Sequence, residues 1–156
     1  MKSSEKLGVK LLQSVKEMKS SMKIIDLLIK HEAMRLKPYE CTAGDLTIGV
    51  GRNLDSMGLS KDEVYYLLQN DIRRCEKELL KAFDWFAYLD TVRQDAMMDM
   101  CFNLGISRLR GFEKALNAME GGDYEEAAVE FLDSNWAGQV GQRAITITNM
   151  IRTGEY

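Results

Sequence analysis

The sequence predicts a mostly helical α+β fold with a small β-hairpin lobe, a long linking helix and a helical C-terminal lobe. Within its 156 residues, one short stretch differs from the rest: residues 37–51 hold the single proline and three glycines. There Leu46, Ile48 and Val50 alternate with polar or small residues, which is typical of a hairpin or small sheet. Elsewhere apolar residues recur at helical spacing. The length fits one domain or two small lobes that share a core.

Two helices are expected before the hairpin. Residues 1–22 carry apolar residues near helical spacing, with five lysines between them, so they predict a basic amphipathic extension. Packing against the domain or a partner is one interpretation of this extension, and contact with an anionic envelope surface is the other. Residues 23–34 predict a second helix, in which Ile25, Leu28 and Ile29 share a face with Glu32.

Most of the remaining chain is expected to be helical. Ser60 and Glu63 have the spacing of a capping box and open a linking helix that runs to about Phe83. Further helices are predicted near residues 91–104, 108–119, 123–134 and 142–152, several of them ending at glycines. The predicted organisation is an extension over 1–22 and a domain over 23–156. That domain divides into a hairpin lobe at about 35–59, a linking helix at about 60–83 and a helical lobe at about 84–156.

Composition and charge exclude several classes of partner and cofactor. The formal net charge is −3, so the chain has no global basic field and nucleic acid is not an expected partner. Three cysteines and one histidine, without CxxC spacing, argue against a metal site or a disulfide framework. Reduced thiols in a protein without a cofactor are the simpler expectation.

No segment near the N-terminus predicts membrane insertion or export. The richest apolar run, 24–29, is interrupted by Asp26 and is too short to span a bilayer. Lysines are present at the N-terminus, but the continuous apolar stretch of a cleavable signal is not. If the target lies outside the cytoplasm, another agent must therefore release the protein.

Glu32 is the first candidate for chemistry. A carboxylate on an apolar helix face is expensive to ionise, so its pKa is expected to rise. Such a group suits a general acid that protonates a glycosidic oxygen. The alternative is a buried structural glutamate paired with an arginine, and helical periodicity by itself favours this alternative.

The hairpin follows Glu32 directly. A three-residue loop over 43–45 would make Cys41 and Thr47 cross-strand neighbours on one face. Both side chains would then face the carboxyl group of Glu32.

Residues 32–51 resemble the catalytic motif of the phage lysozymes of glycoside hydrolase family 24, the T-even phage lysozyme group. That motif is a glutamate, eight residues, an aspartate or cysteine, five residues and a threonine. Glu32, Cys41 and Thr47 match both spacings. The resemblance continues through Gly111-Phe112 and Trp136, and it covers about residues 23–156.

The resemblance implies a lysozyme-like two-lobed fold and an enzyme with muramidase activity. The substrate would be bacterial peptidoglycan, cut at the β-1,4 bond between N-acetylmuramic acid and N-acetylglucosamine. Glu32 would protonate the leaving oxygen, Thr47 would help to position the attacking water, and Arg143 would pair with Glu32. The implied biological role is that of an endolysin, a monomer held in the host cytoplasm until a holin releases it to the wall.

The resemblance also points to residues that contact sugar. Asn53 and Phe102 suit this role through hydrogen bonding and stacking. Ala115 and Glu130 fall at sugar-contacting positions of the family, but they are substitutions that weaken any such role there.

Cys41 departs from the commoner aspartate of the family. An unperturbed thiol has a pKa of about 8.5 and is mostly neutral at pH 7. Its thiolate could activate water or attack carbon only if the pKa falls, and Arg35 and Arg52 are candidate neighbours for lowering it. Glu40 and Asp45 are nearby carboxylates that could act in its place.

Two other functions stay open on the sequence alone. A lytic transglycosylase cuts the same bond with one acid/base carboxylate and leaves a 1,6-anhydro product. A non-catalytic peptidoglycan-binding protein would bind the glycan without cutting it.

Overall fold

The computed structural model describes residues 2–156, and the side chains of residues 13, 14 and 16–156. The chain divides into two compact units, the first ending at Lys61 and the second running Asp62–Tyr156. The first unit contains a small sheet, and the regular elements described in the second are helices. The predicted mostly helical α+β class is therefore confirmed.

The first unit begins with one long helix. Helix α1 spans Lys2–Glu32, so the prediction of two separate helices over 1–22 and 23–34 is wrong. Between residues 9 and 32 the sequence has neither glycine nor proline, and nothing there interrupts the backbone hydrogen bonds. The helix ends where Ala33 adopts a positive φ of 60°, with its N–H still bonded to the carbonyl of Ile29.

A three-stranded antiparallel sheet follows α1, with the strands in the order β1-β2-β3. The strands are β1 Arg35–Glu40, β2 Leu46–Gly49 and β3 Arg52–Asn53, and a short helix α2 spans Leu54–Met57. The predicted hairpin is confirmed by β1 and β2.

The turn between β1 and β2 differs from the expected one by a single residue. Cys41 N donates to the carbonyl of Asp45 at 2.9 Å, and Gly44 N donates to the carbonyl of Cys41 at 2.9 Å. The loop is therefore 42–44 and not 43–45. Gly44 has a φ of +89° and occupies the last loop position, where a three-residue hairpin requires left-handed backbone. The position of Gly44 therefore determines which three residues form the loop.

The second unit is an array of helices. They are α3 Lys61–Ala82, α4 Thr91–Leu104, α5 Ile106–Leu109, α6 Glu113–Gly121, α7 Tyr124–Leu132, α8 Asn135–Val140 and α9 Gln142–Thr153, with a 3-10 turn at Phe86–Tyr88. α3 starts directly after Ser60, as the capping pattern predicts. The single helix predicted over 108–119 is instead interrupted around Gly111, and the glycine-containing α8 was not predicted.

The core of the second unit lies among α4, α7 and α9. Met97, Met100, Phe131 and Ile151 are fully buried there. Arg93 Nε donates to the carbonyl of Ile151 at 2.7 Å and so ties α4 to the end of α9. Burying each of these large side chains stabilises the fold by about 1.5–3 kcal/mol.

Over the described residues, no helix combines the length and the apolar character of a membrane span.

Candidate active site

Glu32 is the last residue of α1, and its side chain is exposed. Ile25 and Leu28, on the same helix face, are 50% and 46% exposed. Glu32 lies in a helix as its spacing predicts, but its side chain is exposed and not buried as expected. An apolar stripe predicts burial only where another element covers it.

The carboxylate of Glu32 lies against the end of the hairpin, beside Gly51. A Cβ atom built on Gly51 would lie 3.3 Å from Oε2 of Glu32, tighter than ordinary van der Waals contact. Gly51 also has a φ of +73°, which L-residues with side chains rarely adopt. Glycine at this position therefore permits both the turn and the approach of the carboxylate.

Thr47 is the buried polar residue of the hairpin, with 4% of its surface exposed. It pairs across the strands with Tyr39 and not with Cys41, because the loop lies one residue earlier than expected. Cys41 lies two residues beyond Tyr39, so Cys41 and Thr47 are diagonal neighbours on one face. Their side chains share a hydrogen bond, and Thr47 Oγ1 also donates to the carbonyl of Asp45 at 3.1 Å.

The loop lowers the pKa of the Cys41 thiol. The main-chain N–H groups of Ala43 and Asp45 are the largest causes, since they donate to the sulfur and favour the thiolate. Partial burial opposes them, the hydrogen bond with Thr47 assists them, and the negative charge of Asp45 raises the pKa again. The net direction is downward.

The two arginines proposed from the sequence as neighbours of the thiol have other contacts. The guanidinium of Arg35 lies over the ring of Tyr39, 4.3 Å from its centroid. Arg52 Nη1 donates to the carbonyl of Gly58 at 3.2 Å. Main-chain amides, and not these arginines, therefore lower the pKa of the Cys41 thiol. The sequence did not predict these amides, because the direction of each N–H group in a turn depends on the exact register of the strands.

Asn53, predicted to bind sugar, is engaged within the hairpin unit. Its Nδ2 donates to Oδ2 of Asp45 at 2.8 Å, and its Oδ1 accepts from Ser56 N at 3.0 Å, which caps α2. Both polar atoms of the side-chain amide therefore form hydrogen bonds that stabilise the hairpin unit. Its contact with sugar stays a prediction.

In the second unit, Phe102 and Arg143 line one groove of about 410 Å³. Phe102 is 47% exposed there, so its ring is accessible to a ligand. Arg143 Nε donates to Oδ1 of Asp99 at 2.8 Å, and Leu68 and Met98 form apolar parts of the wall. Asp99 was not predicted, although its position three residues before Phe102 puts both on one face of α4.

Ala115 and Glu130 line a second groove of the same unit, with a volume of about 550 Å³. Phe112 and Trp136 form its aromatic wall, their rings in an edge-on arrangement with centroids 6.3 Å apart. Glu130 lies 3.7 Å from the ammonium group of Lys114. Ala115 and Glu130, for which the sequence offers the weakest indication of sugar contact, therefore line one groove with aromatic and charged walls.

A model of the phage lysozyme family matches residues 29–150, and the chain belongs to this family. The match includes the hairpin with Cys41 and Thr47, and it continues through both grooves of the second unit. The protein is accordingly a glycoside hydrolase of the lysozyme type, a hydrolase of peptidoglycan.

Individual relatives are distant but extensive in coverage. A probable T4-type lysozyme 2 of Dictyostelium discoideum is 27% identical, over 88% of this chain and 96% of the relative. An endolysin of Acyrthosiphon pisum secondary endosymbiont phage 1 is 28% identical, over 79% of this chain and 84% of the relative. The pre-baseplate central spike protein Gp5 of Enterobacteria phage T4 is 28% identical over 86% of this chain, which matches 28% of that longer protein.

Gly51→Ala is expected to impair the site through the contact with Glu32. Both the positive φ and the 3.3 Å approach disfavour a methyl group, so we expect a loss of about 1–2 kcal/mol in stability and a several-fold loss in hydrolysis. Clearing of a peptidoglycan suspension and thermal unfolding measure the two effects.

Gly49→Ala is the matched control. Gly49 has nearly the same φ, +70°, but a Cβ there would have no neighbour within 4 Å. It should lose stability in the same way and lose less activity. Equal loss of activity in both variants would show that backbone strain, and not the approach of Glu32, matters at Gly51.

Proposed function

We propose that the chain is a muramidase that hydrolyses the β-1,4 bond between N-acetylmuramic acid and N-acetylglucosamine. The observation that carries the proposal is the hairpin unit itself. There the carboxylate of Glu32 lies beside Gly51 of the same sheet that presents Cys41 and Thr47. An acid and a separate water-activating group on one small scaffold are what inverting glycoside hydrolysis requires.

Glu32 acts as the general acid in this proposal. The glycosidic oxygen is a poor leaving group, and protonation by a carboxylic acid makes its departure feasible. The exposure of Glu32 leaves it accessible to a polymeric substrate. Its proton passes to the leaving oxygen as the bond to the anomeric carbon breaks.

Cys41 takes the place of the second carboxylate. Because the amides of Ala43 and Asp45 lower the pKa of the thiol, a larger fraction is thiolate near neutral pH than for an ordinary cysteine. The thiolate accepts a proton from the attacking water, and the hydroxyl of Thr47 orients that water. Cys41 thus acts as the general base.

The two grooves of the helical unit suit a glycan chain. The exposed ring of Phe102 in one groove, and the partly exposed ring of Phe112 in the other, offer apolar surfaces against which sugar rings stack. Arg143 and Glu130 supply charged hydrogen-bonding groups beside them. This combination of aromatic surface and a few polar groups is typical of saccharide recognition.

A lytic transglycosylase is the second candidate, and the thiol at position 41 is the observation that favours it. Such an enzyme needs Glu32 as its acid/base and no activated water, because the sugar's own C6 hydroxyl attacks. In that case Cys41 and Thr47 would have no part in water activation. The non-catalytic alternative keeps glycan binding and loses turnover.

The biological role in this proposal is that of an endolysin. The protein accumulates in the host cytoplasm as a monomer, passes through a holin's membrane lesion and lyses the cell by cutting the wall. The relative named as an endolysin supports this role.

The N-terminal part of α1 is proposed to contact the anionic envelope. Lys16, Lys19 and Lys23 are exposed, and Met18 and Met22 are 61% and 62% exposed on the same stretch. A helix with exposed lysines and exposed apolar side chains suits an anionic surface with an apolar layer beneath it.

Glu32→Gln is expected to lower hydrolysis by about 100-fold or more, since a general acid contributes at least that factor. Release of soluble fragments from purified peptidoglycan measures the rate. Circular dichroism and peptidoglycan sedimentation should show intact folding and binding.

Glu40→Gln is the matched control, because Glu40 is another exposed carboxylate of the hairpin unit. It should keep nearly full activity. Undiminished hydrolysis by the Glu32 variant would contradict the assignment of Glu32 as the acid. A large loss of hydrolysis in the Glu40 variant would assign the acid role to Glu40 instead.

Cys41→Asp is expected to change the pH dependence of hydrolysis. If the thiolate is the base, activity is present above the pKa of Cys41 and is lost as the pH falls through it. An aspartate ionises near pH 4, so the rising limb should move to lower pH. Initial rates from pH 4 to 9 measure this limb.

Cys41→Ala is the second variant of this series. It should lose most of the hydrolytic activity, and with it the rise in rate that follows ionisation of Cys41. An alanine variant with the rate and pH profile of the native chain would exclude a part for the thiol and would favour the transglycosylase.

Deletion of residues 1–22 is expected to weaken binding to the wall more at low salt than at high salt, because salt screens attraction between exposed charges. Sedimentation with purified walls at two ionic strengths measures it. Replacing Lys16 and Lys19 by Gln keeps the helix and should reproduce part of the salt-dependent loss. Equal loss at both ionic strengths would instead indicate a packing role.

A further inference from the structure

We propose that Asp45 is a positioning residue of this site, joining the strands around Cys41 and Thr47 and placing a carboxylate beside the thiol. The inference deepens the proposed function and rests on it for its catalytic meaning. Asp45 is not part of the glutamate, cysteine and threonine motif, and its carboxylate is engaged inside the hairpin unit.

The main chain of Asp45 connects the two candidate groups. Its carbonyl accepts from Cys41 N at 2.9 Å and from Thr47 Oγ1 at 3.1 Å. Its own N–H is one of the two amides that donate to the thiol sulfur. One residue therefore contacts the backbone and sulfur of the cysteine and the hydroxyl of the threonine.

The side chain of Asp45 is anchored from β3. Asn53 Nδ2 donates to Oδ2 of Asp45 at 2.8 Å, and Asn53 is itself held by Ser56 N at 3.0 Å. The half-buried carboxylate is thus held by Asn53, and because Cys41 and Asp45 are the two residues that close the turn, their side chains are neighbours across it. Asp55 lies close by and bonds differently, since its Oδ2 accepts from Leu46 N at 2.7 Å.

Asp45 acts on Cys41 in two opposite ways. Its N–H, with that of Ala43, stabilises the thiolate, and its carboxylate disfavours the thiolate by charge repulsion. The negative charge of Asp45 is the smallest of the five influences on the Cys41 pKa, and it opposes the two amides, which are the largest. A carboxylate fixed near a thiolate keeps the sulfur more basic than the amides alone would leave it.

This balance has a direct use in general-base catalysis. A base works best when its pKa lies near the working pH, because a strongly stabilised thiolate accepts protons poorly. The amides make the thiolate available, and Asp45 preserves its basicity. Thr47 can respond as well, since its hydroxyl donates to the carbonyl of Asp45 beside a neutral thiol and can turn to the sulfur when the thiolate forms.

Asp45→Asn in the full chain tests the inference. Asparagine keeps a side-chain oxygen that can accept from Asn53, and it removes the charge. The measurement is the rate of alkylation by iodoacetamide from pH 5 to 10, with peptide mass spectrometry to follow Cys41 separately from the buried Cys75 and Cys101. We expect the midpoint of the Cys41 profile to move to lower pH, and the rate below that midpoint to rise about twofold or more.

Asp55→Asn is the matched control. It removes a carboxylate of the same unit that bonds to Leu46 N, so the Cys41 midpoint should stay where it is. An unchanged midpoint in the Asp45 variant would overturn the inference, and so would an equal displacement in the Asp55 variant. Unfolding cannot imitate the expected result, since losing the amide donors would move the midpoint to higher pH and expose Cys75 and Cys101.

The alkylation profile is independent of whether Cys41 takes part in hydrolysis. If the profile moves as expected while Cys41→Ala hydrolyses peptidoglycan like the native chain, the link from Asp45 to the thiol holds and the proposed base role fails. If Cys41 is the base, the rising limb of hydrolysis should move to lower pH in Asp45→Asn, in parallel with alkylation.

Discussion

The turn that joins β1 to β2 is the constraint on which the candidate site depends. Gly44 takes a positive φ of 89°, and this closes the loop so that the N–H groups of Ala43 and Asp45 point at the sulfur of Cys41. The same closure sets the register that buries Thr47 beside the thiol. A residue with a side chain at position 44 would strain this turn and disturb both groups at once.

That constraint gives a physical account of how a cysteine at position 41 can serve as the base of the proposed function. A carboxylate ionises readily in water, whereas a thiol needs donors that stabilise its anion. The loop supplies them from the main chain, and the charge of Asp45 limits their effect. Buried Cys101 illustrates the opposite environment, because desolvation and the neighbouring Cys75 and Glu78 raise its pKa to about 12.

Much of the fold followed from local sequence patterns, and much of the site did not. The hairpin and the start of α3 are encoded by glycine placement, residue alternation and capping, which act over a few residues. The exposure of Glu32 and the partner of Arg143 depend on which elements pack together, and single-sequence periodicity does not contain that information. The amides that lower the pKa of Cys41 depend on a loop register that was misplaced by one residue.

The central claim is hydrolysis of the glycan strand by water, and the ends of the released fragments test it most directly. Mass spectrometry of fragments from purified peptidoglycan should find reducing N-acetylmuramic acid ends. Anhydro ends, lighter by one water, would contradict hydrolysis and leave Glu32 as the acid/base of a transglycosylase. Walls that bind the protein and release no fragments would contradict catalysis altogether.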